Sequence, residues 1–150
     1  MANYKKASVV VLANATGTQT LIDAASGVKL LWTEVSDQTN YADVKTHFTN
    51  GVFTAPYSGF YTVTMSIYYG LNVTVGDGSF VTAIKNGSLA GGIILLQGAV
   101  AEDAVQNVSR VFKLETGDTL AFYARQVSGA DRIPDAVNTV LSIVRVGNAS

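Results

Sequence analysis

The sequence predicts an all-β fold, a sandwich or a barrel, and three observations carry that reading. From Tyr61 to Ile67 the chain alternates strictly: Tyr61, Val63, Met65 and Ile67 fall on one side, Thr62, Thr64 and Ser66 on the other. A period of two, built from β-branched and aromatic residues, is the pattern of a half-buried strand. Turn signals recur about every ten residues, the spacing of a sandwich or barrel. Asn86-Gly87 sits between two strand patterns, and both residues tolerate positive φ, as a tight hairpin requires.

Ten segments carry the strand pattern, in order Ser8–Ala13, Thr18–Ile22, Val28–Glu34, His47–Ala55, Phe60–Tyr69, Ser79–Lys85, Ser88–Gln97, Asn107–Leu114, Thr119–Val127 and Asn138–Val146. The fourth stops at Pro56, and the chain turns at Ser58-Gly59 into the long fifth strand. Asn86-Gly87 joins the sixth and seventh. Thr116-Gly117-Asp118 separates the eighth from the ninth. Gly59, Asn86, Gly87, Gly117 and Asp118 are therefore the predicted turn residues, with positive φ expected at Gly59 or Gly117. Ala99–Val105 could form one helical turn, too short to change the fold class. The predicted core is Tyr61, Val63, Met65 and Ile67, with Leu120 and Phe122 from the ninth strand.

With 150 residues and 48% apolar composition, the chain has the material for one packed domain. The expected division is a short arm, residues 1–7, and one domain, 8–150. Charged residues make up only 14%, against roughly 25% in ordinary soluble domains. So few charges suggest apolar surface buried between subunits. In the last strand Val140, Val144 and Val146 alternate with Leu141 and Ile143, and Ile93-Ile94-Leu95-Leu96 is continuous. Strands apolar on both faces need a second cover besides the core. Tyr69, Tyr123, Leu141 and Ile143 are the residues assigned to that subunit interface.

Net charge is −1 and the only adjacent basic pair is Lys5-Lys6, so bulk electrostatics do not point to nucleic acid. The absence of cysteine excludes disulfides and thiolate metal sites. No apolar run approaches the roughly 20 residues of a membrane-spanning helix. Val9–Ala13 is too short for the apolar core of a signal peptide. The expectation is a chain made in the cytoplasm.

His47 is the only histidine, and no Gly-x-Ser-x-Gly elbow is present. The eleven carboxylates are scattered; Asp131 and Asp135 bracket Arg132, and Glu102-Asp103 lie in another loop. Nothing brings two of them together for acid–base work on a glycoside. Calcium is the metal such oxygen ligands would suit, yet Gly76-Asp77-Gly78 lacks the alternating acids of a calcium loop. Gly91-Gly92 and Gly76-x-Gly78 precede no helix, so they read as turns or a strand bulge, not as phosphate loops. Tyr57, Tyr68, Tyr69 and Tyr123 could stack on sugars, though such residues more often fill a core or interface. Asn14, Asn72, Asn86 and Asn107 match the glycosylation pattern but read as surface asparagines without a secretory signal. No enzyme activity and no cofactor is expected.

Residues 51–61 add something more specific. Gly51, Phe53, Thr54, Ala55, Pro56, Gly59 and Tyr61 form a Gly-x-Phe-Thr-Ala-Pro-x-x-Gly-x-Tyr run leading into a long strand. This resembles the tumour necrosis factor-like jelly-roll superfamily, in particular the branch with the globular heads of the first complement component and many bacterial and phage members. Lys85-Asn86-Gly87, the Leu114-x-x-Gly117-Asp118 turn and the apolar strand Val140–Val146 match further parts of the pattern. Lys29–Asp37 with Tyr41 lies where the family has an aromatic-rich strand and a polar loop. The resemblance spans roughly residues 8 to 147. It implies a ten-strand antiparallel jelly roll assembled as a homotrimer, recognising partners without chemistry. Only about seven residues precede the first strand, where many members carry a stalk. The resulting expectation is a virion-surface protein, a bacteriophage capsid decoration (cement) protein. Its partners would be its own copies and the major capsid protein or another virion protein. Tyr4, Lys5 and Lys6 of the arm would reach the shell. The rivals are a receptor-binding head on a tail fibre, contacting a host-surface glycan or protein, and a jelly-roll enzyme.

Overall fold

The computed structural model describes residues 10–17, 19–20, 27–35, 47–69, 80–96, 105–126, 131 and 133–147. Eleven strands run through them: β1 (Val10–Ala15), β2 (Val28–Lys29), β3 (Trp32–Glu34), β4 (Phe48–Thr49), β5 (Val52–Thr54), β6 (Gly59–Tyr68), β7 (Phe80–Lys85), β8 (Ser88–Leu96), β9 (Val105–Leu114), β10 (Thr119–Arg125) and β11 (Val140–Gly147). They form two antiparallel sheets. One has the order β3-β1-β11-β6-β9; the other has β4-β5-β10-β7-β8, with β2 also paired to β10. The fold is an all-β antiparallel jelly roll.

The alternation around Tyr61 explains how the layers meet. In β6 the odd-numbered residues are buried and the even-numbered ones partly or fully exposed. Tyr61, Val63, Met65 and Ile67 point into the space between the sheets, each at most 5% exposed. Leu120 and Phe122 of β10 meet them from the second sheet, also buried. Phe53 sits 5.8 Å from both Tyr61 and Phe48, and Trp32 meets Phe122 edge-on at 6.4 Å. Tilted and edge-on aromatic pairs at such distances add to the burial of their area.

The same parity corrects the predicted interface. Leu141 and Ile143 are buried in this core, because their register partners Met65 and Val63 face inward. Tyr69 shares the parity of Ile67 and is also buried, which pushes its phenol pKa well above the usual value. Tyr123 is half-buried on the outward side of the other sheet, between the inward Phe122 and Ala124. The outward apolar residues of β11 are instead Val140, Val144 and Val146.

Two predicted strands divide and Thr18–Ile22 contributes no strand among the described residues, so eleven segments stand in place of ten. Val28–Glu34 crosses between sheets. Its first part pairs with β10 and its second with β1. At the crossing, Leu30 N–H donates to the Phe122 carbonyl at 2.8 Å, and the Gln19 side chain bonds both N–H and C=O of Leu31 at 2.7 Å. His47–Ala55 is a hairpin, not one strand. Asn50 and Gly51 have φ of 51° and 73°, so the two-residue turn is the same Asn-Gly device as Asn86-Gly87. Of Thr18–Ile22, residues 19–20 are not strand and the rest lies outside the described residues. So do residues 99–104 of the suggested helical turn; Val105 already belongs to β9. Residues 89–92, Gly91-Gly92 among them, face only Ile84 between the pairs Ala83↔Ile93 and Lys85↔Ser88, which makes them a strand bulge.

Glu34 ties the two sheets along one edge. From β3 its carboxylate accepts the backbone N–H of His47 and, at 2.9 Å, that of Phe48 on β4. An unpaired buried N–H is costly, so this carboxylate supplies what the short β4 cannot obtain from a neighbouring strand.

Met65 is 1% exposed at the centre of the inward row. Met65→Ala is expected to cost about 2–5 kcal/mol. Denaturant melts check it; a loss below about 0.5 kcal/mol, the scale of a surface substitution, would mean that the inward face is misassigned.

Candidate functional site

The motif residues of the sequence converge at one end of the sandwich. Asp118 is the hub. Its carboxylate holds the Lys85 ammonium at 2.7 Å, the Asn86 amide at 2.8 Å and the Glu115 N–H at 2.8 Å. The Asn86 side-chain oxygen in turn accepts the Thr119 N–H at 2.8 Å. Backbone bonds then add the Ala55–Gly59 segment: Ala55 N–H donates to the Asp118 carbonyl and Gly117 N–H to the Ala55 carbonyl, both at 2.8 Å. Thr116 N–H donates to the Ser58 hydroxyl oxygen at 3.0 Å. Arg145 donates from Nε and Nη2 to the Ser58 carbonyl at 3.1 and 2.6 Å, while its guanidinium lies 5.8 Å above the Tyr57 ring. The Tyr61 hydroxyl donates to the Tyr57 carbonyl at 2.5 Å. Burial raises the Tyr61 phenol pKa, and that hydrogen bond opposes the rise.

The predicted turn residues thus meet as a structural latch whose polar groups satisfy one another. Asn86, Gly87 and Gly117 have positive φ, of 53°, 70° and 88°. Gly59 does not; it is the first residue of β6, and its constraint is space. A Cβ there would clash with the Gly147 carbonyl oxygen and lie 2.6 Å from Arg145 Nε. It is a close-approach glycine, not a turn glycine.

His47 is buried, stacked at 6.2 Å on Phe53, with Nδ1 3.5 Å from Glu34 Oε2. Among the described residues neither ring nitrogen has a hydrogen-bond partner. A nucleophile triad needs a hydroxyl or thiol on that imidazole, and no described residue places one there. Among the described residues no three His, Cys, Asp or Glu side chains group as metal ligands. Asp135 spends Oδ1 on the N–H groups of Val137 and Asn138, at 2.9 and 2.8 Å, bracing its own loop. Gly76–Gly78, Glu102, Asp103, Arg132 and the arm residues Tyr4, Lys5 and Lys6 lie outside the described residues.

Among the described residues the outward face of the five-stranded sheet carries uncharged rows. Its register can be read in rows. Thr33, Asn14, Val140, Ser66 and Asn107 form one, and Leu12, Ser142, Thr64 and Ser109 the next. Val144, Thr62 and Val111 continue a third. Leu12, Val111 and Val140 are exposed, at 42%, 54% and 41%. No charge appears in these rows; Lys113, beside Phe60, comes only at the rim. Composition points to such a face, but of the residues assigned to it Tyr69, Leu141 and Ile143 face the core and Tyr123 lies outward on the other sheet. Two arginines were missed altogether. Arg145 clasps the latch, and Arg110 shares the inward parity of Val108 and Phe112 on β9. A charge in the apolar phase of Asn107–Leu114 was the signal for Arg110.

Solved structures of similar fold include murine APRIL at pH 8.0, with 14% identity and a TM-score of 0.61 over 93% of this chain and 99% of that one. The Eiger TNF from S. frugiperda is similar at 18% identity and a TM-score of 0.65, over 97% and 96% of the two chains. The fold is tumour necrosis factor-like. No protein-family model matches the sequence, and no curated protein matches it. Neither structural likeness bears on the bacterial or phage branch that residues 51–61 resemble.

The latch makes a pH prediction. The Lys85 ammonium first, then the Glu115 N–H and the Asn86 amide, hold the Asp118 carboxyl at about 2, below its ordinary 3.8. As pH falls the unfolded chain takes up this proton before the folded one. The contribution is therefore complete above pH 3.8 and is lost as pH falls through about 2. Solvent screens the pair, so Asp118→Asn should cost about 0.2–1 kcal/mol near neutrality and nothing below the window. Chemical melts of both proteins across that range check it. A cost that does not change with pH would show that the ion pair is not what Asp118 contributes.

Proposed function

We propose that the chain works by non-covalent association, as a homotrimer joined through the outward face of the five-stranded sheet. The observation that carries this reading is the run of uncharged rows across β1, β11, β6 and β9. Thr, Ser and Val side chains need little desolvation when a second surface covers them, whereas a charged face would resist burial. A stable contact of ordinary size covers about 800 Å² per partner, within reach of a sheet of this extent. Closure by rotation leaves no unpaired copy of such a face.

Within that reading the proposed role is attachment at a virion surface, as a capsid decoration protein that stabilises the shell. Its support is the resemblance of residues 51–61 to a branch with phage members, together with the near-neutral charge and the basic pair Lys5-Lys6. A trimer on three-fold positions multiplies a weak contact, because the second and third contacts are effectively intramolecular. A receptor-binding head is the second reading, favoured by one feature. The loop 133–139 displays Ile133 and Val137, 55% and 73% exposed, on a backbone fixed by Asp135, by the Thr139 hydroxyl on Tyr68 and by the Asn14 amide on the Val137 carbonyl. A pre-ordered apolar loop loses little entropy on contact.

Sedimentation at micromolar concentration is expected to give about three times the 15.8 kDa chain mass; a monodisperse monomer would exclude the trimer. Truncation of residues 1–7 should leave the trimer folded and weaken its capture by purified shells. Binding to host cells with no binding to shells would replace the decoration role with receptor recognition.

A further inference from the structure

Two Asn-Gly pairs occur in the chain, Asn50-Gly51 and Asn86-Gly87. Both form two-residue hairpin turns with positive φ, and both asparagines are exposed. Their surroundings differ. The Asn86 amide donates to Asp118 at 2.8 Å, and its side-chain oxygen accepts the Thr119 N–H at 2.8 Å. The Asn86 N–H adds a bond to the Thr119 carbonyl at 3.0 Å. The strands on either side of that turn, β7 and β8, have six and nine residues. Asn50 joins strands of only two and three residues, β4 and β5, and it lies outside the latch around Asp118.

An asparagine before glycine is open to deamidation. Hydroxide takes the proton of the glycine N–H, and the nitrogen attacks Cγ of the asparagine. The bond from Cγ to Nδ2 breaks, ammonia leaves and a succinimide ring remains. Water then opens the ring. Opening at Cγ gives aspartate; opening at the main-chain carbonyl gives isoaspartate, in which the chain runs on through the side chain. Water enters and ammonia leaves, so neither oxidant nor reductant is required. Glycine matters because no Cβ shields the attacking nitrogen. Ring closure swings the Asn-Gly peptide out of its hairpin geometry, so the rate follows how readily each turn opens. We propose that Asn50 is a site of spontaneous deamidation in the folded chain, and that the latch protects Asn86. The product has a structural consequence. Gly51 is buried, and a Cβ on it would lie 2.5 Å from the Leu30 carbonyl oxygen, so this turn rests on the sheet crossing. Aspartate at position 50 keeps the backbone and tolerates the left-handed region. Isoaspartate adds a main-chain carbon to a two-residue turn, whose length sets the register Phe48↔Phe53. It would draw β4 away from the Glu34 carboxylate that accepts the Phe48 N–H. The site stands independently of the oligomer reading, because β4 and β5 belong to the other sheet.

The test follows both sites in the full chain held in mildly alkaline buffer, folded and in urea. Peptide mapping by mass spectrometry measures the loss of each amide, and an isoaspartyl methyltransferase labels the rearranged product. In urea both pairs should convert at comparable rates. In the folded chain Asn50 should convert about tenfold faster than Asn86 or more, because freeing the Asn86 side chain breaks two further hydrogen bonds. Asp118→Ala should speed the conversion of Asn86 several-fold and leave that of Asn50 unchanged. The isoaspartyl product should unfold at a lower denaturant concentration than Asn50→Asp, which should melt as the wild type does. The proposal is overturned if Asn86 converts as fast as Asn50 in the folded chain, or if Asn50 stays intact while the unfolded chain loses both amides. Both outcomes are read from the wild type, so they hold whether or not Asp118→Ala folds. A folded Asp118→Ala chain whose Asn86 converts no faster would overturn the protection by the latch.

Discussion

The parity of β6 is the constraint on which the rest of this molecule depends. Its odd-numbered residues build the core and its even-numbered ones build an uncharged outer surface. Because β6 lies between β11 and β9, its register sets theirs: Met65 brings Leu141 and Val108 inward, and Thr64 brings Ser142 and Ser109 outward. A slip of one residue would exchange the two faces of all three strands at once. Gly59 helps to prevent such a slip. Only a residue without Cβ lets the start of β6 pass so close to Gly147 and Arg145, so the strand can begin at one place.

The latch around Asp118 has a different task. Three turns from distant parts of the sequence meet there, and each pair of polar groups closes one against another. A jelly roll pays a large entropic cost for bringing such segments together, and the bonds among Lys85, Asn86, Ser58, Glu115 and Asp118 act where that cost falls. The motif that makes the chain resemble a known superfamily is thus architectural. Function has to be sought on surfaces that the motif leaves free, namely the outer sheet face and the braced loop at 133–139.

Much of this was legible in the sequence wherever a short local pattern decides the outcome. The alternation at 61–67 and the Asn86-Gly87 hairpin are of that kind. Asn50-Gly51 carries the same signal as Asn86-Gly87, but the apolar residues on either side of it read as one continuous strand. The sheet crossing at Leu30-Leu31 depends on Phe122 and Gln19, which no window around Leu30 contains. Leu141 and Ile143 were placed outward because in a strand apolar on both faces, periodicity does not say which face is the core; only register against Val63 and Met65 does. The Glu34 bridge to β4 joins residues from two sheets and leaves no trace in spacing. For the candidate surfaces, low charge suggests a face suited to a partner, but which face carries the uncharged rows is read only from the strand pairing.

The central claim is that the outward face of the β6 sheet is a contact surface, built by the same alternation that builds the core. Thr64 lies at the middle of that face, exposed, beside Ser142 and bonded through its hydroxyl to Ser109 at 3.1 Å. Native mass spectrometry of Thr64→Lys, with a circular dichroism melt of the same sample, tests the claim most directly. One buried like-charge cluster per assembly should drive the variant to a monomer at concentrations where the wild type associates, while its spectrum remains that of a folded β protein. A folded Thr64→Lys chain with the same oligomeric mass as the wild type would contradict the claim, and the uncharged rows would then be only a solvated surface.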